Sequence, residues 1–509
     1  MVMKKSDKRP LLLAVAIASA MAFFGIAFSA LDNWLKALLM LATLAACGSL
    51  VRRLTGWEDY YGFMIARGGA GLGWMKVIAK NHAAACRRIV DAGLTLCFGL
   101  PYGARVFGWR SKQWMEGATL NILFFAFFFI MQAGTLNATS VLFICLGLLG
   151  GLCGVGFGFI IQHAFNVLTV PNTPPGVTLL LPGITLPWES VFAVLAIAVV
   201  HELAHGVLAN VEKVKIKSSG VLLLGFLPVG AFVEPDEKAL QKRGIHTKRR
   251  VLAAGSISNA LFFFVFLALA LATAAALNST IERVSVSAIA SNSTAPIGLQ
   301  TGDALTSFAS AREAEAFFFK IASEGGGWAV TQVNGAEKGI RISEVSVDTA
   351  NAGSPNAGLL AKGEVLLSAD GAPVYGFDDL ESAVRAHAAN ATIAVETTAG
   401  AKLLKIGTDG KLGVSFRQTL TFEATDAPSN AALYALLAFL LVVFSYAYLL
   451  NFILAIMNLL PLFLTDGHRI IYEEFVEAWG KKKAALYSAL VGFATIGLLL
   501  LNALPWLWA

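Results

Sequence analysis

Eight stretches of this chain run for about 17 residues or more with almost no charge. They are residues 11–30, 34–50, 118–134, 141–167, 189–211, 251–277, 431–460 and 484–505. As a helix, such a run crosses the ~30 Å hydrocarbon core of a bilayer. Lipid offers no partner to a bare backbone group, so runs this apolar have to be helical. With 56% of its 509 residues hydrophobic and 14% charged, the chain has more apolar surface than a soluble fold can hide. The sequence predicts a polytopic α-helical, multi-pass membrane protein whose principal surroundings are the lipid bilayer. A formal charge of +6 is small for this length and gives no support to a nucleic-acid partner.

Basic residues set the expected orientation. They cluster at the N-terminus (Lys4, Lys5, Lys8, Arg9), over residues 52–88 and over residues 238–250. The positive-inside rule puts all three clusters in the cytoplasm. The first apolar run is too long for a cleaved signal peptide, and a second follows at once, so it reads as a signal anchor. For residues 189–211 to run from outside to inside, the chain must cross an odd number of times between residues 88 and 188. Two strong runs lie there. The weaker stretch 92–109, interrupted by Pro101 and Arg105, is the obvious third, for a total of eight or nine crossings. The five cysteines, Cys47, Cys86, Cys97, Cys145 and Cys153, lie in or near apolar segments without metal spacing and read as small buried hydrophobes.

Four regions follow. Residues 1–140 carry the N-terminal membrane helices and a basic loop. Residues 141–277 form the first half of a membrane core, and residues 429–509 the second half. Between them, residues 278–428 read as a soluble α+β insert, placed outside by the same charge rule. Sequons at Asn278, Asn292 and Asn390 suit an exposed face. The insert contains a repeat: Pro296 to Leu305 is echoed by Pro355 to Leu366. The second copy looks like a PDZ domain. It has a Gly358-Leu359 turn, a strand, an Asp370-Gly371 hairpin and a helix from Phe377. The first copy resembles a degenerate PDZ domain. The copies span 281–344 and 345–425. Such a region would capture a peptide or C-terminus at a sheet edge, or only shield the membrane site.

The chemistry concentrates at His201-Glu202-Leu203-Ala204-His205, which follows the apolar run Val191 to Val200. Histidines four apart on a helix share one face and can share a metal, with Glu202 beside them to take a proton from a metal-bound water. Zinc suits two imidazoles and a carboxylate, because it activates water near neutral pH without redox chemistry. Ionisable residues inside an apolar helix are functional by default. A catalytic zinc needs a third protein ligand. Asp466 is the best candidate; it follows the helix-breaking Pro461 and precedes Gly467. His468 competes with it. Residues 220–233, too short to span and containing Gly225, Pro228 and Gly230, suit a re-entrant hairpin whose exposed edge would pair with an unwound substrate.

These segments together resemble the site-2 proteases, intramembrane zinc metalloproteases of peptidase family M50, in their archaeal and eukaryotic branch. The match is carried by Pro182 to Pro187, His201 to Gly206, Pro228 to Asp236, Ala253 to Asn259, Asn458 to Pro461 and Thr465 to Gly467. The resemblance implies zinc ligands His201, His205 and Asp466, and a general base Glu202. It implies that Asn259, in the Gly255-x-x-x-Asn259 pattern, polarises the scissile carbonyl or binds substrate backbone. Thr465 departs from the leucine usual before that Asp-Gly. The implied activity is a zinc metalloendopeptidase that cuts the transmembrane segments of membrane proteins. An inactive PDZ-bearing scaffold is the alternative. An ion transporter also needs intramembrane His and Asp, but no repeat relates the two membrane halves as transporters show.

Overall fold

The structure, a computed structural model, describes residues 8–27, 29, 31–60, 63–69, 71–131, 137–178, 180, 185–289, 298–350 and 354–507. The Pro182-Gly183-Ile184 stretch, the Asn292 sequon and the start of the first repeat at Pro296 and Ile297 fall outside these residues. In chain order the elements begin with α1 (Lys8–Ala27), α2 (Asn33–Thr55), β1 (Glu58–Tyr60), β2 (Phe63–Gly68), α3 (Leu72–Phe98), α4 (Leu100–Phe107), α5 (Lys112–Met131) and α6 (Ala138–Thr169). Then follow α7 (Ser190–Val211), β3 (Ile216–Leu224), β4 (Leu227–Pro235), α8 (Glu237–Gln241) and α9 (Ile245–Ser279). The insert holds β5 (Ile281–Ile289), α10 (Ala311–Ser323), β6 (Trp328–Val333), β7 (Ala336–Arg341), β8 (Ser343–Ala350), β9 (Val365–Ala369) and β10 (Ala372–Pro373). It continues with α11 (Phe377–Arg385), β11 (Thr392–Thr397), β12 (Gly400–Lys405), β13 (Val414–Leu420) and β14 (Phe422–Pro428). Helices α12 (Ala431–Met457) and α13 (Asp466–Ala503) complete the chain. The chain divides into two compact units, residues 1–271 with 439–509, and residues 272–438.

Among the described residues, eight helices are long and apolar enough to cross a membrane, and they coincide with the eight apolar runs. The stretch 92–109 is not a ninth. It is the buried end of α3, a turn at Gly99 and the short α4. Helix α6 is not straight. Gly151, with φ +61° and ψ −156°, breaks that helix. Thr139 and Gln162, about 35 Å apart along a straight helix, line one small cavity, and Phe143 lies 6.3 Å from Phe159. The two arms therefore fold back on each other. A Cβ at Gly151 would lie 2.4 Å from the Leu96 carbonyl oxygen, so the reversal of α6 nests against the α3–α4 turn only because this residue is glycine.

The last helix doubles back in the same way. Gly480, at φ +78°, interrupts α13, and Trp479 packs 5.3 Å from Tyr487 across the break. Phe463, just ahead of α13, contacts Phe493 at 5.0 Å. Near the start of the chain, the supposed basic loop is largely structured. Strands β1 and β2 join the expected hairpin in an antiparallel sheet ordered β1-β2-β3-β4. Phe226 and Leu227, at the β3–β4 tip, pack with Phe23 and Leu44 of the first two helices. Partners lying about 150 residues away in sequence hide this sheet from a local reading.

The second unit has two apolar cores. Val284, Leu305, Phe318 and Ile340 belong to the first, and Phe422 closes it because β14 returns to pair with β5. Val345, Leu366, Ile393 and Leu404 belong to the second, beneath the sheet β12-β11-β9-β8-β13. Asn334-Gly335 turns β6 into β7, and Asp370-Gly371 turns β9 into β10, with positive φ at both residues of each turn. That is the geometry of a two-residue hairpin, so each core has its own hairpin.

Candidate metal centre

Helix α7 is built from Ala, Val, Leu and Ile, which favour burial on every face, so polar atoms it carries in its second half must find partners inside the bundle. His201 and His205 are both buried on one face, with their Nε2 atoms 3.2 Å apart. Asp466, the first residue of α13, brings Oδ2 to 3.0 Å from His205 Nε2 and 3.4 Å from His201 Nε2. A tetrahedral ion with bonds of about 2.0–2.1 Å holds its ligand atoms ~3.3 Å apart, so these three atoms fit such an ion with a fourth position open. Within the described residues this is the one group of three or more His, Cys, Asp or Glu side chains close enough to hold a metal.

The surroundings fix which nitrogen faces the centre. His205 Nδ1 lies 2.7 Å from the Val251 carbonyl oxygen, an acceptor, so that nitrogen carries the proton and Nε2 presents its lone pair. Asn458 Nδ2 approaches His201 Nε2 at 3.1 Å and donates to Asp466 Oδ2 at 2.7 Å. Asn259, fully buried, sits behind His201 with its amide 3.1 Å from Nδ1 and its Oδ1 without a partner. Turning the amide over puts Oδ1 against the Nδ1 proton and frees Nε2 for a metal. Asn259 therefore stands behind the imidazole, on the side away from the other two donor atoms. Gly255, one turn earlier on α9, leaves the imidazoles their space: a Cβ there would lie 2.3 Å from His201 Cε1 and 2.5 Å from His205 Nε2.

Glu202 accepts a 2.8 Å hydrogen bond from the Val233 amide on β4, which aims its carboxylate and leaves Oε1 available. Thr465 caps α13, its hydroxyl 3.4 Å from the His468 amide and within 2.8 Å of the Leu462 carbonyl oxygen. The cap explains how a hydroxyl serves where leucine is usual: it holds the turn that presents Asp466. A cavity of about 290 Å³ opens on His201, Glu202, His205, Asn458 and Asp466. His468 turns away from it, packs 5.0 Å from Phe463, and lines a neighbouring cavity.

Local reading missed a clamp beside this site. Lys248 and Arg249 pair with Glu473 at 2.7 Å and Glu474 at 2.5 Å on α13. Arg250 reaches Asp91 on α3 at 2.7 Å and Glu212 at 3.2 Å. Tyr102 and Arg105 of α4 also bond Glu474. As charges near a helix start, the three basic residues look like topology signals. In the structure Lys248 and Arg249 tie the backbone just before Val251, which orients His205, to the helix that carries Asp466, and Arg250 ties it to Asp91 of α3 and to Glu212.

The model of Peptidase family M50 matches residues 190–501, more than half of the chain and both sides of the centre. The chain belongs to peptidase family M50. An uncharacterized protein of Methanocaldococcus jannaschii is 40% identical over 97 residues, 19% of this chain and 26% of that protein. The alignment thus spans about a quarter of that relative's length. In this M50 chain the matched region contains the insert as well as the two halves that supply donor atoms.

Proposed function

We propose that the chain is an intramembrane zinc metalloendopeptidase that cleaves the transmembrane segments of membrane proteins. The observation that carries the reading is the convergence of His201, His205 and Asp466 at tetrahedral ligand spacing beside Glu202, on helices apolar enough to cross a bilayer. These three side chains would hold zinc, which when bound supplies an activated water and polarises a peptide carbonyl. Glu202, held through Oε2 by Val233, takes a proton on its free oxygen and returns it to the leaving amine. Asn458 Nδ2 points into the same space and is placed to donate to an oxyanion there. Asn259 acts as a positioning residue that fixes the tautomer of His201 rather than as a contact to substrate.

A helical substrate hides its peptide bonds and must unwind before attack. Strand β4 is the edge of its sheet, and one outward backbone group, the Val233 amide, is taken by Glu202. By the alternation of a strand, the backbone of Ala231 faces the same way and is offered to an extended substrate. In the second unit we read both cores as PDZ-like. Strand β13 is also an edge, paired among the described residues only with β8, where a peptide or C-terminus would add. We place the basic clusters in the cytoplasm and the insert outside. The charge distribution is what supports this orientation.

The test is cleavage of a transmembrane substrate by the purified full chain, comparing wild type with Glu202→Gln, and zinc analysis of both. Loss of cleavage with zinc retained is expected. Equal cleavage by the two would sink the mechanism. If the wild type itself neither binds zinc nor cleaves any substrate offered, the scaffold reading stands instead.

A further inference from the structure

On another face of the membrane unit, α3, α5 and α9 enclose a groove of about 970 Å³, more than three times the volume of the 290 Å³ cavity at the metal centre. Its walls are apolar: Ala85, Ile89 and Ala92 of α3, Leu120 and Leu123 of α5, and Leu261 of α9. The hollow exists because α3 presents alanines where larger side chains would fill it. One end is polar. There Arg88 bonds Glu116 at 2.8 Å, with the Arg88 side chain 66% exposed. Lys112 is exposed one helical turn before Glu116. Among the described residues lining the groove Glu116 is the one acid, and with Lys112 a turn away two cations accompany one carboxylate.

We infer that this groove binds an anionic phospholipid, its acyl chains along the apolar walls and its phosphate on Arg88. A guanidinium has five donors, and the pair with Glu116 leaves several for a phosphate. Basic pockets between membrane helices bind anionic headgroups in this manner. A second protein helix in the groove would cover Arg88 and strand its charge in an apolar contact, whereas a headgroup keeps it at the water boundary. The site is separate from the metal centre and does not depend on catalysis.

The experiment is native mass spectrometry of the full chain in detergent, offered phosphatidylglycerol or phosphatidylcholine at equal concentration. Wild type is expected to retain one phosphatidylglycerol under activation that strips phosphatidylcholine. Arg88→Gln with Lys112→Gln should weaken that retention about tenfold or more. Ala85→Phe, at an exposed position that fills the groove, should remove it while the protein stays monodisperse and helical. Lys481→Gln with Lys482→Gln, on α13 outside the groove, should change nothing. The inference is overturned if the two lipids are retained equally, or if the α13 variant is as damaging as the Arg88 variant. It is also overturned if Ala85→Phe leaves retention intact, if inorganic phosphate alone displaces the lipid, or if the chain proves to be a dimer that Ala85→Phe dissociates.

Discussion

Two regions of this molecule bury polar groups, and they do so differently. Around His201 the groups form a linked set: Asn259 behind one imidazole, the Val251 carbonyl behind the other, and Asn458 bridging to Asp466. In the insert, Arg341 is fully buried at the seam between the two cores. It donates from Nε to the Ser343 carbonyl and lies over the Tyr375 ring, while its two terminal nitrogens have no hydrogen-bond partner among the described residues. Burial of charge alone therefore does not mark a reactive centre. What marks it is convergence: several donor atoms with their lone pairs aimed at one point, each held from behind by a neighbour.

The largest test of that contrast removes a donor. Asp466→Ala should drop bound zinc below about a tenth of the wild-type content, while Arg341→Met should leave zinc content unchanged. Equal loss in both would erase the distinction. Glu202→Gln should keep the metal and lower cleavage by about 10²–10⁴-fold. Gly255→Ala should displace both imidazoles and release zinc with helix content, read by circular dichroism, unchanged.

The clamp comes next. Arg249 and Glu474 are buried partners, so Arg249→Met leaves the carboxylate to Tyr102 and Arg105 alone and should cost about 1.5–3 kcal/mol of stability in a denaturation series. Arg249→Met with Glu474→Met should cost less than the sum of the two singles. Zinc affinity should fall with the single substitution and recover with the double. Asn259→Ala should weaken zinc by about 10–100-fold, and Asn259→Asp, which keeps an acceptor, should not.

The smallest effects lie in the insert and differ in sign. Burial pushes the Glu364 carboxyl up, but hydrogen bonds from Lys402 and Thr397 outweigh it and hold its pKa below the ordinary value. Its contribution is complete above the ordinary carboxylate range and is lost as pH falls. Burial raises the pKa of Glu344, and the charge of Arg341 offsets only part of this. That contribution is complete at low pH and is lost as pH rises through the raised value. Hydrogen exchange of insert amides in the full chain checks both. Glu364→Gln should flatten the acid side of the profile and Glu344→Gln the opposite side.

Much of this was readable from residue order. The eight apolar runs, the His201-Glu202-x-x-His205 face and the Asp466-Gly467 turn are local patterns with a fixed period or a helix breaker. The reversal inside α6 was not readable in that way. Leucine, phenylalanine and glycine at 141–167 read as one long span. A single backbone angle at Gly151, stabilised by close packing on the distant Leu96 carbonyl, turns it into two arms. The β1–β2 hairpin was lost for the same reason, since its partner strand lies far along the chain.

Sequence by itself determined that this protein is a multi-pass helical membrane protein and singled out His201, His205 and Asp466, because hydrophobic length, helical spacing and helix breakers are properties of neighbours. Only the tertiary structure decided which atoms face one another. Orientation of a ring nitrogen depends on what stands behind it, and for His201, His205 and Asp466 those residues come from α9 and from the chain between α12 and α13. Three basic residues at 248–250 carry the same lesson: their charge was visible from the start, and their carboxylate partners were not.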